Sequence, residues 1–134
     1  MKLLSFALCI VLVAWTKFCS AELELETRTT IMPRETIQLN LDEIILLDVR
    51  TDKEWNAGHI RGATHLPLRR FKDDLPNLIT NKKKPVVLYC ASGGRAIAAA
   101  KYMRNLGYKA VPVTKGGYIQ MLSAGMHHSV DQSK

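Results

Sequence analysis

Cysteine is scarce in this chain. There are three among 134 residues, and two of them, Cys9 and Cys19, fall within the first 21. The remainder holds Cys90 alone, and one cysteine cannot close an internal disulfide, so a disulfide-stapled scaffold is excluded. Internal repeats and low-complexity runs are absent, and the length suits one domain. Aromatic residues make up 7% of the chain and do not interleave with basic ones. The net charge of +7 is scattered, apart from Lys82-Lys83-Lys84 and Arg69-Arg70. That pattern reads as a solvated basic surface and not a nucleic-acid stripe, though a positive field favours small anions. His127-His128 has no evident third ligand, so no metal site is expected. Long apolar runs are limited to one, Leu3 to Trp15, interrupted only by Ser5.

That one run is too short to span a bilayer, which takes about 20 residues. It follows Met1-Lys2, and Cys19-Ser20-Ala21 supplies small residues at signal-peptidase spacing. Residues 1–21 therefore read as a secretory signal peptide cut after Ala21, with an uncleaved membrane anchor as the alternative. Cleavage removes Lys2 and Lys17 and no acid, so the charge falls from +7 to +5. It also leaves Cys90 as the lone thiol of an exported protein, periplasmic or secreted, with no membrane attachment. A lone thiol there is a liability or a tool. The expected layout is a lead-in over 22–28, one domain over 29–126 and a loose polar tail over 127–134.

What is present is an alternation of short apolar runs with helical patterns. Residues 29–31 read as a short edge strand and 34–40 as a short helix entered by Pro33. Residues 44–49 form a run that is apolar but for Asp48, the pattern of a central parallel strand buried on both faces. Thr51 and Glu54 match a capping box for a helix over 51–56, ended by Gly58. Residues 64–66 are a brief strand. Residues 69–79 are an amphipathic helix that Pro76 is expected to split. The run 85–89 is a second buried strand, 96–106 a helix with Ala96, Ala99, Ala100, Met103 and Leu106 as core, and 110–113 another strand. Gly116-Gly117 opens a last helix over 118–124. The sum is an α/β fold, a parallel sheet with helices on both faces.

Active sites of such sheets form at the carboxyl ends of the strands. Cys90 lies at one such end, and Asp48-Val49-Arg50 at another. Cys90 also opens a glycine loop, Ala91-Ser92-Gly93-Gly94-Arg95, that runs into a helix. Unpaired N–H groups at a helix start, curled by glycines, make a cradle for an anion with a thiol at its base. Sulfur or phosphorus chemistry fits such a thiol, since the thiolate is the nucleophile and loop amides with Arg95 would favour it.

Taken in order, Asp48-Val49-Arg50, Glu54-Trp55, Gly58-His59-Ile60, Gly62-Ala63 and Leu66-Pro67 resemble the amino-terminal signature of single-domain rhodaneses. Cys90 to Arg95 resembles their active-site loop, and Leu106-Gly107-Tyr108 and Gly116-Gly117 their carboxyl-terminal landmarks. The resemblance covers about residues 29–126 and is nearest in style to the small exported phage-shock-type rhodaneses. It implies a three-layer α/β/α fold with a five-stranded parallel sheet. It implies a sulfurtransferase that moves sulfane sulfur from thiosulfate or a similar anionic donor to cyanide or a thiol, as a monomer. Cys90 would carry the persulfide, with no organic cofactor and no metal. Residues Ala91, Ser92, Gly93, Gly94 and Arg95 would bind the donor. Asp48 and Arg50 would fix a strand end near the loop, with Glu54 and His59 also scaffold. Met121 stands where the family usually has tryptophan, and Ala91 and Ser92 lack the cations that some relatives carry.

Two other classes compete. A cysteine-dependent phosphatase or arsenate reductase has five residues between cysteine and arginine, whereas four stand here, Ala91 to Gly94. No aspartic acid near the loop offers a proton to a leaving group. A persulfide carrier or redox module serving a protein partner would use the same thiol without turnover.

Overall fold

The computed structural model describes residues 24–130. Residues 1–21, read above as a signal peptide, lie outside them. The elements run β1 (Thr30–Ile31), α1 (Pro33–Thr36), β2 (Ile45–Asp48), α2 (Asp52–Asn56), β3 (His59–Ile60), β4 (Thr64–His65), a 3-10 turn (Leu68–Arg70), α3 (Phe71–Leu78), β5 (Val86–Tyr89), α4 (Gly94–Asn105), β6 (Val113–Thr114), α5 (Tyr118–Ser123) and β7 (His128–Ser129). No helix among the described residues is long and apolar enough to cross a membrane.

Five strands form one sheet in the order β1-β6-β5-β2-β4, every pair parallel. The fold is the expected α/β/α arrangement. Its centre is β5, paired with β2 from Ile45↔Val86 to Asp48↔Tyr89. Alternate side chains of a strand face opposite ways. Val86 and Leu88 join Leu47 and Val49 in a core against α3 and α4, where Phe71, Leu75, Ala96, Ala99, Ala100 and Met103 meet them. Val87 and Tyr89 join Leu46 and Ile31 in a second core, closed by Met121 of α5. Two faces to bury explain why these strands are apolar on both sides, up to Asp48 at the end of β2. Met121 is fully buried, so the exchange at that position is one of core packing.

Several expectations need correction. The first helix ends at Thr36, four residues early. Pro76 does not split α3, which stays continuous through it. A proline removes one helical N–H, and here only Asn77 and Leu78 follow it, so little helix depends on it. The helix after the cysteine loop starts at Gly94 and not at Ala96, which takes Gly94 and Arg95 out of the loop and into its first turn. The strand read over 110–113 is Val113–Thr114. The preceding residues still accept bonds from β5, Val86 N–H to Ala110 O and Leu88 N–H to Pro112 O, but Pro112 has no N–H to give back.

The tail is not loose where it is described. His128–Ser129 pairs antiparallel with His59–Ile60, and Arg61 N–H donates to His127 O at 2.8 Å. Gly58 makes this possible. Its φ is +143°, and a Cβ there would stand 2.0 Å from the His128 ring. The Tyr118 hydroxyl hydrogen-bonds His128 Nδ1 at 2.8 Å, which pins the ribbon to α5.

Candidate functional site

The site is built where β5 hands over to α4. Hydrogen bonding to both neighbours fixes the end of β5, and the chain turns at Cys90. Cys90 is 1% exposed, so only a narrow, protruding group reaches its sulfur. Gly93 has φ +108° and donates its N–H to Cys90 Sγ at 3.0 Å. The N–H groups of Ala91, Ser92, Gly94, Arg95 and Ala96 donate to no acceptor among the described residues. Five unclaimed donors on six successive residues, with one already on the sulfur, are what an anion cradle requires. The positive end of the 12-residue α4 adds to the same field.

The floor of the loop is held from beneath by the turn after β6. Tyr118 N–H donates to Cys90 O at 2.8 Å. A Cβ at Gly117 would stand 2.3 Å from Ala91 O and 2.5 Å from Cys90 O. Only a glycine lets that backbone come so close, and its φ of +81° asks for one as well.

Arg95 reaches across the loop to α2. Its Nη1 and Nη2 donate to Glu54 Oε2 and Oε1, each at 2.7 Å. Glu54 also completes the capping box expected of it, accepting from Thr51 N–H at 2.9 Å and the Thr51 hydroxyl at 2.7 Å. The Arg95 hydrogen bonds, helped by Thr51, pull the Glu54 pKa down to about 2 against the cost of burial. The Arg95 pKa is raised chiefly by Glu54, with smaller contributions from the charge of Cys90 and a hydrogen bond to it. Cys90, Arg95 and Glu54 therefore form one electrostatic unit. Sequence reading missed the last link, because Glu54 and Arg95 are 41 residues apart and no local pattern joins them.

Asp48 and Arg50 do not enter the loop. They form a buried pair behind it, with Arg50 Nη2 at 2.7 Å and Nε at 2.9 Å from Asp48 Oδ2. Burial alone would lower the Arg50 pKa, but hydrogen bonds and the charge of Asp48 hold it raised. Arg50 Nη2 also donates to Gly58 O at 2.8 Å, and the guanidinium lies over the Tyr118 ring at 3.9 Å. The pair thus ties the end of β2 to the β3–β7 ribbon and to the start of α5. Burial pushes the Tyr89 phenol up. Its oxygen accepts from Ile60 N–H at 3.2 Å, a further tie to the ribbon. Trp55 stacks between His59, at 3.5 Å centroid separation, and His65, at 4.7 Å, a cluster the sequence reading also did not foresee.

No group of three or more metal-binding side chains occurs among the described residues. Every carboxylate placed at this edge is taken: Asp48 by Arg50, Glu54 by Arg95, and Asp52 by Arg69. The site offers a sheltered thiol, a ring of amide donors and one guanidinium, and no free acid.

Comparison with known proteins follows the same lines. The family model described as Rhodanese-like domain matches residues 34–124. Among curated proteins, the tRNA uridine(34) hydroxylase of Streptococcus suis is 36% identical over 97 residues, covering 68% of this chain and 29% of that protein. The enzyme of the same name from Erwinia tasmaniensis is 34% identical over 82 residues, covering 58% of this chain and 23% of that one. The chain thus spans about a quarter of the length of these relatives. Among solved structures, a Helicobacter pylori protein aligns with TM-score 0.63 and 28% identity over 79% of this chain and 96% of its own. A thiosulfate sulfurtransferase from Pseudomonas aeruginosa aligns with TM-score 0.68 and 23% identity over 80% of this chain and 21% of its own. A Rhodopseudomonas palustris protein described as a possible tyrosine phosphatase aligns with TM-score 0.68 and 23% identity over 82% of this chain and 92% of its own. The last two likenesses are of fold.

Proposed function

The chain belongs to the rhodanese-like domain family, and on that footing we propose that it is a sulfurtransferase working through a persulfide on Cys90. The observation that carries the reading is the sulfur of Cys90 at the base of six successive residues whose N–H groups are free or already aimed at it. Such donors stabilise negative charge where it develops. The Cys90 thiolate attacks the outer sulfur of a donor such as thiosulfate. The sulfur–sulfur bond breaks, and its electron pair leaves on sulfite. The terminal sulfur of Cys90 is then taken by cyanide or a thiol. No metal or organic cofactor is needed for either step, and the chain acts as a monomer.

The phosphatase reading is weaker on geometry. A phosphoryl ester needs an acid to protonate the leaving oxygen, and the carboxylates at this edge are ion-paired. The thiol is also 1% exposed, which suits the single protruding sulfur of a sulfane donor better than a phosphoryl group with three oxygens. The reading of residues 1–21 as an export signal supports a location in the periplasm or outside the cell.

The test is loading and turnover. Exposure to thiosulfate or an organic hydropersulfide should add the mass of one sulfur atom, removable by cyanide or a thiol. Cys90→Ser should lose both loading and turnover with its circular dichroism unchanged. Turnover in that variant would overturn the mechanism. Loading without turnover on added cyanide or thiol would mark a carrier for a protein partner instead of an enzyme.

A further inference from the structure

The sulfurtransferase reading leaves open what distinguishes one donor from another, and the ion pair across the loop bears on it. We infer that Glu54 is a specificity-determining residue, a charge filter that cancels Arg95 and biases the site against dianionic donors such as thiosulfate and toward hydropersulfides, which carry less negative charge. The inference rests on the proposed function.

A dianion at this loop needs fixed positive charge. Ala91 and Ser92 supply none, and Arg95, in the first turn of α4, is the one cation from Cys90 through that turn. Both of its terminal nitrogens are committed to Glu54 at 2.7 Å. Neither partner is free to turn away cheaply, because Glu54 is anchored by Thr51 through two further hydrogen bonds. With Cys90 as thiolate, the three side chains carry one net negative charge between them. The amide donors offset part of this, but an incoming dianion still meets stronger repulsion than a donor of lower charge. Other cations nearby are spoken for, Arg50 by Asp48 and Arg69 by Asp52. Lys53 and Lys115 are exposed, where solvent and salt screen them.

For a hydropersulfide R–S–SH the step balances without added reagents. The Cys90 thiolate attacks the terminal sulfur, and a new sulfur–sulfur bond forms. The old one breaks, and R–S⁻ leaves with its electron pair. The proton stays on the transferred sulfur, and nothing is oxidised or reduced overall. The terminal sulfur of such a donor protrudes as one atom, which fits a thiol this sheltered.

The experiment compares thiosulfate, a dianion, with cysteine hydropersulfide, which carries at most one net negative charge, on the full chain. Rates of Cys90 loading are read by intact mass, and kcat/KM with one thiol acceptor. The wild-type protein should prefer the hydropersulfide. Glu54→Gln keeps a capping-box side chain at that helix position. It should raise kcat/KM for thiosulfate about tenfold, through KM, and change the hydropersulfide value by less than about twofold. Salt should erase the gain. The double variant Glu54→Gln/Arg95→Gln should lose it, which shows that Glu54 acts through Arg95. Equal losses on both donors in Glu54→Gln would reduce Glu54 to a scaffold residue and overturn the inference. So would a wild-type preference for thiosulfate, with the sulfurtransferase reading intact. Failure of both donors to load Cys90 would bring down that reading, and the inference with it.

Discussion

Two arginine–carboxylate pairs stand at the same edge of the sheet, and they do different work. Asp48–Arg50 spans two residues of sequence and is buried at 0% and 4% exposure, while Glu54–Arg95 joins two elements 41 residues apart with 32% of each side chain exposed. The first is enclosed by aromatic rings and a backbone carbonyl and is almost wholly withdrawn from solvent. The second lies open beside a thiol and a set of unclaimed amides. Identical chemistry thus serves as an internal strut in one place and as an adjustable field in the other. Burial decides which, since a buried pair cannot lose a partner without stranding a charge, and an exposed pair can.

The largest effect that would break this contrast is on stability. Arg50→Met should leave Asp48 unpaired in a dry site and cost about 3–5 kcal/mol in a urea titration. A loss under about 1 kcal/mol would place the two pairs in one class. Arg95→Gln should do the reverse. Its stability should change by less than about 1 kcal/mol, while turnover should fall about tenfold as the positive charge that favours the Cys90 thiolate is lost.

The smallest effect concerns pH. The Glu54 pKa is lowered to about 2 by the hydrogen bonds from Arg95, set against an ordinary value of 4.5. Its stabilising contribution is therefore fully present above about pH 4.5 and disappears as pH falls through about 2. The stability gap between the wild type and Glu54→Gln should be flat from neutral pH to about 4.5 and close below that. A gap that changed around neutral pH would assign the effect to another group.

The same contrast explains what was legible in the sequence. Strands β2 and β5 announced themselves, because burial on two faces leaves no room for a polar alternation. The Thr51–Glu54 cap and the Asp48–Arg50 spacing were also readable, since both are local. The apolar run before Cys90 and the helical pattern after it placed the cysteine and its loop at a strand end, and the family resemblance gave the loop a role. What could not be read depends on partners far along the chain. The Glu54–Arg95 bond is one case. The pairing of His128–Ser129 with His59–Ile60 is another, for nothing in two histidines and a serine says that an open edge waits about 70 residues earlier. The start of α4 at Gly94 was missed because two glycines argue against helix, and tertiary packing of Ala96, Ala99 and Ala100 overrode them.

The strand order carries a consequence for how the molecule comes into being. β1 is made first of the five, yet its one neighbour in the sheet is β6, and β6 in turn leans on β5. During synthesis the chain can close only β2 against β4 until residue 86 has emerged, and β1 waits until residue 114. Contacts of such long range form late. The middle strand, which leads into Cys90, is thus the keystone, and a ribosome releasing a chain cut before residue 86 would deliver β2 paired with β4 and an unpartnered β1, with no sulfur site.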